Sequence, residues 1–371
     1  MTNNWVLKSP RKITSHDSLP PDTSSSKRPW YNCCGWGRRM NLIVSLILML
    51  SIVGAVAIGS IEIARINRYP DYASLNYQLV DVYEGISFFE GFNYFTEDDP
   101  TGGFVVYVNK ETAEGFNLTY ATELSAVLRV DTFTINAPKG RNSVRIESKN
   151  TFDSGLFIFD IIHSPYGCGT WPALWLTDGY NWPNNGEIDI LESNNQASQG
   201  NEMTLHTTPG CHMKVKRKET GSQASQQCDS SVTGIGNGGC GVIGNPSTYG
   251  KPLNDDGGGI YALELREEGI RIWFFPRHSI PTDIHNASPD PSTWGTALAD
   301  FPGTECDISS HFRNQSIIAN IDLCGELAGQ KQYYTDLYNC PGICEEFVAS
   351  NPAQLEEAYW EFKSFKVYQG T

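Results

Sequence analysis

The sequence predicts an all-β domain, a β-sandwich or jelly roll, behind a single N-terminal membrane-spanning helix. Three observations lead there. Gly at 35, Pro at 20 and 12% aromatic residues favour turn-rich β structure over a helical bundle. Beyond residue 75, β-branched and aromatic runs bounded by turn residues recur, and no amphipathic helical period persists. Met40–Ile61 is a run of 22 residues without a charge. The 371 residues leave room for one large domain with a sizeable core.

Residues 1–39 read as a disordered cytoplasmic tail, with SHDSLPPDTSSSK as its low-complexity part. The tail carries Lys8, Arg11, Lys12, Lys27, Arg28, Arg38 and Arg39 against Asp17 and Asp22, although the whole chain has a net charge of −15. Residues 40–61 are long enough to span the ~30 Å bilayer core as a helix. The run is too long and too far from the N-terminus for a signal peptide. More basic charge lies before the span than after it, where Arg65 and Arg68 stand. This orientation rule puts the N-terminus in the cytoplasm and the rest in the lumen or outside the cell, a single-pass type II arrangement. Residues 62–75 form a connector, and 76–371 the folded domain.

Cysteine usage agrees with that topology. Cys33 and Cys34 precede the span. The other eight, Cys168, Cys211, Cys228, Cys240, Cys306, Cys324, Cys340 and Cys344, form an even set suited to disulfides in an oxidising compartment. The pairing stays open. Glycosylation sequons at Asn117, Asn286 and Asn314 fall on the same side.

Within the domain, strands are expected at Gly103–Val108, Ser143–Ser148, Leu156–Ile162, Ser316–Leu323 and Tyr359–Tyr368. Tyr261–Glu267 and Ile270–Phe275 flank Glu268-Gly269 as a hairpin. The Gly-rich run 234–259 reads as surface loops. The acidic balance excludes a nucleic-acid binder. No CxxC pair suggests zinc. GNPSTYGKP lacks phosphate-loop spacing, and no G-x-S-x-G elbow is present. No cofactor is implied.

The segment that carries chemistry is NNGEIDILE, Asn184–Glu192. On a strand Glu187 and Asp189 share one face. Strict alternation would then bury Glu192, at a high desolvation cost. One β-bulge at Ile190-Leu191 returns Glu192 to the acidic face. Three carboxylates crowded on one face repel, which a purely structural sheet would avoid. Such a row suits glycoside hydrolysis, which needs one carboxylate nucleophile and one carboxylic acid. A solvated strand face or a calcium site is the alternative on spacing alone. Trp171, Trp175 and Trp182 crowd the same region and supply indole faces on which sugar rings stack.

With CGTWPALW, NWPNNGEIDILE, MTLHTTPGC and WFFPR in order over Tyr77–Gln369, the chain resembles fungal laminarinase-like endo-1,3(4)-β-glucanases of glycoside hydrolase family 16. The resemblance implies a curved β-jelly-roll sandwich, a cleft on its concave face and retention of anomeric configuration. It implies Glu187 as nucleophile, Glu192 as acid/base and Asp189 tuning the nucleophile. His206 would line the cleft and Arg145 would bind sugar hydroxyls. The substrate would be a β-1,3 or mixed β-1,3/1,4-glucan. After Cys324-Gly325 the family pattern has an acidic residue and then Trp; here Glu326 is followed by Leu327, which removes one stacking platform. Two alternatives stand beside hydrolysis: a wall-glucan transglycosylase or β-1,6-glucan assembly protein, and a non-catalytic β-glucan-binding membrane protein. The intact acid row argues against the last. Oligomeric state is not legible.

Overall fold

The structure, a computed structural model, describes residues 34–196, 198–232 and 238–371. The tail through Cys33 and the 233–237 part of the Gly-rich run lie outside the described residues. A helix over Cys34–Ile66 contains the uncharged run and extends past both its ends. Its Gly37–Ile66 stretch is long and apolar enough to cross a membrane, and its apolar window is not buried against protein. A second unit runs from Ile61 to Thr371.

That unit is a sandwich of two eight-stranded sheets. The first has the order Ser222–Gln223, Cys240–Ile243, Glu202–His206, Glu187–Glu192, Thr170–Thr177, Gln315–Leu323, Arg145–Phe152 and Phe92–Tyr94. The second runs Ala299–Pro302, Gly269–Pro276, Gly259–Arg266, Gly155–His163, Tyr359–Gly370, Ala126–Arg129 and Thr119–Ala121, with Tyr77–Glu84 also paired to Tyr359–Gly370. Ile188, Leu174, Leu205 and Ile317 of the first sheet meet Phe157, Phe159, Leu263 and Phe365 of the second in one core. Period-2 alternation sends the neighbouring residues of the first sheet to its open face.

LFIFDII does not alternate because its strand is buried on both faces. Phe157, Phe159 and Ile161 enter the inter-sheet core. Leu156 and Ile158 enter a second apolar cluster on the outer face, with Ile260, Ala262 and Trp273. Several sequence expectations shift. The Ser143–Ser148 run is broken at Val144, because Arg141–Ser143 leaves to pair in parallel with Val105–Tyr107. The hairpin turns at Glu267-Glu268, one residue earlier than expected, since Arg266 pairs with Gly269. The Gly-rich run is not all surface loop: Cys240–Ile243 is a strand of the first sheet. Gly241 lies close under Glu202, where a Cβ would stand 2.8 Å from Glu202 Oε1.

The cysteines pair as Cys168–Cys340, Cys211–Cys306, Cys228–Cys240 and Cys324–Cys344. The C-terminal half of the expected connector is part of the fold. Arg271 lies over the Tyr72 ring at 4.0 Å, and the Tyr72 hydroxyl donates to Asp300 at 3.4 Å. Arg266 donates to the Ala73 carbonyl at 3.0 Å, and Leu75 packs on the outer cluster. Glu264 holds Arg271 and accepts from the Tyr77 hydroxyl, so one buried ionic network ties this segment to the sheet. A chain starting at Asn76 should therefore melt about 5 °C or more below one starting at Tyr69, at roughly 2–4 °C per kcal/mol. Calorimetry of the two would check this; equal melting temperatures would mean that the segment adds nothing.

Candidate active site

The Glu187–Glu192 strand lies between Thr170–Thr177 and Glu202–His206. Opposite Thr170–Thr177, Asp189 pairs with Trp175 and Leu191 with Leu174, so two residues face one. Opposite Glu202–His206, Asp189 pairs with Thr204 and Glu192 with Glu202, again with one extra residue on the acidic strand. The bulge is thus at Ile190-Leu191, and both side chains are in the core at 0% exposure. Glu187, Asp189 and Glu192 are left on the open face.

A bulge breaks the ladder and frees backbone groups. Asn201 occupies that gap. Its Oδ1 accepts from the Glu192 N–H at 2.9 Å, and its Nδ2 donates to the Ile190 carbonyl at 2.8 Å. Asn201 is itself fully buried, and its own N–H donates to Thr248 Oγ1 at 2.9 Å. Sequence reasoning missed this residue. An Asn following Gly200 reads as an ordinary turn residue, and nothing local says that it faces a bulge ten positions away.

The acids sit in a charged, largely dehydrated row. His206 is opposite Glu187 in register; its Nε2 lies 3.2 Å from Asp189 and 3.8 Å from Glu187. Burial works against its charge, but Asp189, Glu187 and Glu192 outweigh burial and raise the imidazolium to about 9. Burial, then the Asp189 charge, raises Glu187 to about 7, against the pull of His206, the Trp182 N–H and Arg145. Burial, then Asp189, raises Glu192 to about 8, although Trp171 Nε1 donates to its Oε1 at 2.7 Å. Glu202, opposite Glu192, is also raised, chiefly by burial. The arrangement can keep one carboxyl protonated while its neighbour is ionised.

The three tryptophans take separate places. Trp171 binds Glu192. Trp182 is 39% exposed on the loop before Glu187. Trp175 Nε1 donates to Asn320 Oδ1 at 2.8 Å, and Asn320 Nδ2 donates to the Tyr107 hydroxyl at 3.1 Å. Arg145 is a buried, ion-paired side chain beside Trp175. Its guanidinium is buried between the Phe95 and Trp175 rings, at 4.3 and 4.9 Å, and pairs with Glu147 at 2.7 Å. It props the Trp175 face. Donor atoms of Glu187, Asp189 and His206 also lie within 4.8 Å of one another, as a cation site would need.

Residues 92–368 match the XgeA-like catalytic GH16 domain. A probable glycosidase of Schizosaccharomyces pombe is 44% identical over 306 residues, 82% of this chain and 72% of its own length. The endo-1,3(4)-β-glucanase xgeA of Emericella nidulans is 40% identical over 311 residues, 80% of this chain but 48% of its own. The chain thus spans about half the length of that glucanase. Laminarinase 16A from Phanerochaete chrysosporium, solved with 6-O-glucosyl-laminaritriose in donor and acceptor sites, superposes with a TM-score of 0.76 at 43% identity. That match covers 80% of this chain and all of the other. An elongating GH family 16 β-1,3-glucosyltransferase gives 0.74 at 41% identity over 79% of this chain and all of its own. Fold and matches together define a glycoside hydrolase with a curved jelly-roll sandwich. More particularly, the chain belongs to glycoside hydrolase family 16.

Replacing Asn201 by Ala should leave the Glu192 N–H and the Ile190 carbonyl unpaired, at about 1–3 kcal/mol each. The expected result is a lower melting temperature and a kcat reduced tenfold or more, since Glu192 loses its fixed position. Both would be measured on one preparation; wild-type kcat in a destabilised Asn201→Ala protein would show that the clamp does not position the acid.

Proposed function

We propose that the chain is a retaining endo-glycosidase that hydrolyses internal β-1,3 and mixed β-1,3/1,4-glucan linkages. The observation that carries this reading is the bulged strand with Glu187 and Glu192 on one open face, in a chain 38–40% identical to proteins named endo-1,3(4)-β-glucanases. The Glu187 carboxylate attacks the anomeric carbon while Glu192 gives its proton to the leaving oxygen. The C–O bond to the leaving sugar breaks and a glycosyl ester forms on Glu187. Glu192, now a carboxylate, takes a proton from water, whose oxygen attacks the same carbon and frees Glu187. Asp189 and the His206 imidazolium hold charge beside the nucleophile. Trp171, Trp175 and Trp182 offer indole faces to the sugar rings.

A second reading replaces water with a sugar hydroxyl, giving transglycosylation. The 41% identity to a protein named a β-1,3-glucosyltransferase favours keeping it. Product analysis on laminarin, lichenan and β-1,6-glucan separates linkage preference and transfer.

The residue roles have a pH consequence. kcat/KM should rise as Glu187 ionises near 7 and fall as Glu192 loses its proton near 8. Glu187→Gln and Glu192→Gln should each lower kcat by several orders of magnitude. A carboxyl raised in the folded state binds protons that the unfolded chain has released, so its ionisation costs stability. That cost grows from about pH 4.5 upward and is complete above about 8. Glu192→Gln should therefore melt higher than the wild type at pH 8 by a few degrees, with the gap closing near pH 4. An inactive Glu192→Gln protein that melts lower at pH 8 would contradict the buried-acid account.

The same reading places the domain in the lumen or outside the cell, behind a single type II span. The apolar Gly37–Ile66 helix and the cysteine set of the domain support it. Asn117, Asn286 and Asn314 are all exposed, but Asn314 Nδ2 already donates to Asp178 at 3.0 Å. Asn117 is the best acceptor for a glycan. Glycosidase treatment of cell-derived protein should lower its mass, and protease added to sealed microsomes should trim only the tail. Loss of the whole domain in that assay would reverse the orientation.

A further inference from the structure

The helix over Cys34–Ile66 ends five residues past the uncharged run, and the last carbonyls of a helix have no partner within it. The domain supplies one: the Lys216 N–H donates to the Ile66 carbonyl at 2.9 Å. Arg65 pairs with Glu305 at 2.7 Å, and Thr304 Oγ1 donates to the Arg68 carbonyl at 3.2 Å. The two domain segments that make these contacts are joined by Cys211–Cys306, and the His212 N–H donates to the Glu305 carbonyl at 3.1 Å. Residues 65–68 are therefore clamped at the point where the chain leaves the helix.

One of those segments, Met213–Glu219, alternates in burial. Met213 is fully buried, Val215 packs on the core, and Arg217 pairs with Glu219 inside at 2.8 Å. Lys214, Lys216 and Lys218 are exposed between them, so the alternation turns the three lysines away from the core. Lys218 Nζ lies 4.0 Å from the Tyr69 ring, and among the described residues none of the three has a carboxylate partner within 4 Å. The nearby carboxylates are engaged. Asp300 is buried and accepts from the Lys218 N–H at 2.7 Å, and Glu305 is held by Arg65. Three unpaired ammonium groups thus gather on one short segment of a chain with a net charge of −15.

We propose that Lys214, Lys216 and Lys218 form a foot that rests on the phosphates of anionic lipid headgroups, at the bilayer surface where the helix emerges. The inference rests on the reading of Met40–Ile61 as a membrane span. Five helical residues beyond Ile61 rise about 7–8 Å. The headgroup layer on each side of the hydrocarbon is about 5–8 Å thick. Ile66, and the Lys216 backbone bonded to it, then lie at the outer edge of that layer. From there a lysine lays its apolar stem along the surface and sets its ammonium among the phosphates. About 150 residues separate the row from the span in sequence, so it does not enter the charge count that sets orientation. Each basic group at an anionic surface adds roughly fivefold to the affinity for it. The foot holds the domain against the membrane instead of leaving it on a free stalk.

The test uses the full chain in nanodiscs of mixed phosphatidylglycerol and phosphatidylcholine, in discs of phosphatidylcholine alone, and in dodecyl maltoside micelles. Amines are acetylated in short pulses. Each lysine is read by mass spectrometry against Lys139, which is exposed just before the Arg141–Ser143 strand. Lys214, Lys216 and Lys218 should react fivefold or more slower in the phosphatidylglycerol discs than in micelles. Discs of phosphatidylcholine alone should protect them less. Salt at about 1 M should remove most of the protection, because the Debye length falls to about 3 Å. The double variant Lys214→Gln/Lys216→Gln should return Lys218 toward its rate in micelles. Equal rates in discs and micelles, or protection that neither salt nor loss of phosphatidylglycerol changes, overturn the foot and leave the span standing. A chain that alkaline carbonate strips from vesicles of the same lipids overturns both.

Discussion

The Asn201 carboxamide is the contact on which the site depends. A strand can put alternate residues on one face, and that places Glu187 with Asp189 but sends Glu192 inward. One extra residue corrects the phase, at the expense of two ladder groups in a dry interior. Asn201 answers both, accepting from the Glu192 N–H and donating to the Ile190 carbonyl. With those groups paired, Ile190 and Leu191 both enter the core, and the bulge is stable rather than a defect.

What the bulge assembles is electrostatically costly. Three acids, with Glu202 beside them, share a surface that burial and mutual repulsion push toward neutrality. The charged partner facing them from the neighbouring strand is His206, whose imidazolium lies between Asp189 and Glu187. Its position divides the row. Both Glu187 and Glu192 feel that positive charge; Glu187 has the Trp182 N–H and Arg145 beside it, and Glu192 the Trp171 N–H and the like charge of Glu202. Both carboxyls are thereby raised well above the ordinary carboxylate range, each by its own set of neighbours. The stability lost here is offset by a core with many aromatic side chains and four disulfides.

Two of those disulfides bear on the site. Cys324–Cys344 closes the intervening loop on itself, and Cys168–Cys340 ties that loop to the chain just before the strand that carries Trp171. On the outer face of the second sheet, Leu75 joins Ile280, Ile284 and Trp294 in covering the apolar cluster, and Arg271 stacks on Tyr72. This explains why its strands are apolar on both sides, and why the folded unit reaches well into the expected connector.

The sequence by itself determined the strand-rich class, the membrane-length helix, the even set of eight cysteines and the acidic face of Asn184–Glu192. Each of these is a local pattern. The period of 2 gives side-chain direction, an uncharged run gives length, and one misplaced Glu demands one bulge. The strand Leu156–Ile162 and the bulge at Ile190-Leu191 were legible for that reason. The tertiary structure decided what depends on residues far apart in the chain. It paired the cysteines and broke Ser143–Ser148 at Val144. It moved the hairpin turn to Glu267-Glu268 and made part of the Gly-rich run a strand under Glu202. It set Arg145 against Trp175, with Phe95 and Glu147 enclosing its guanidinium. It also brought Asn201 to the bulge. Periodicity reports which way a side chain points, but not what stands opposite it; pairing across strands and loops supplies that, and the protonation of the acids follows from it.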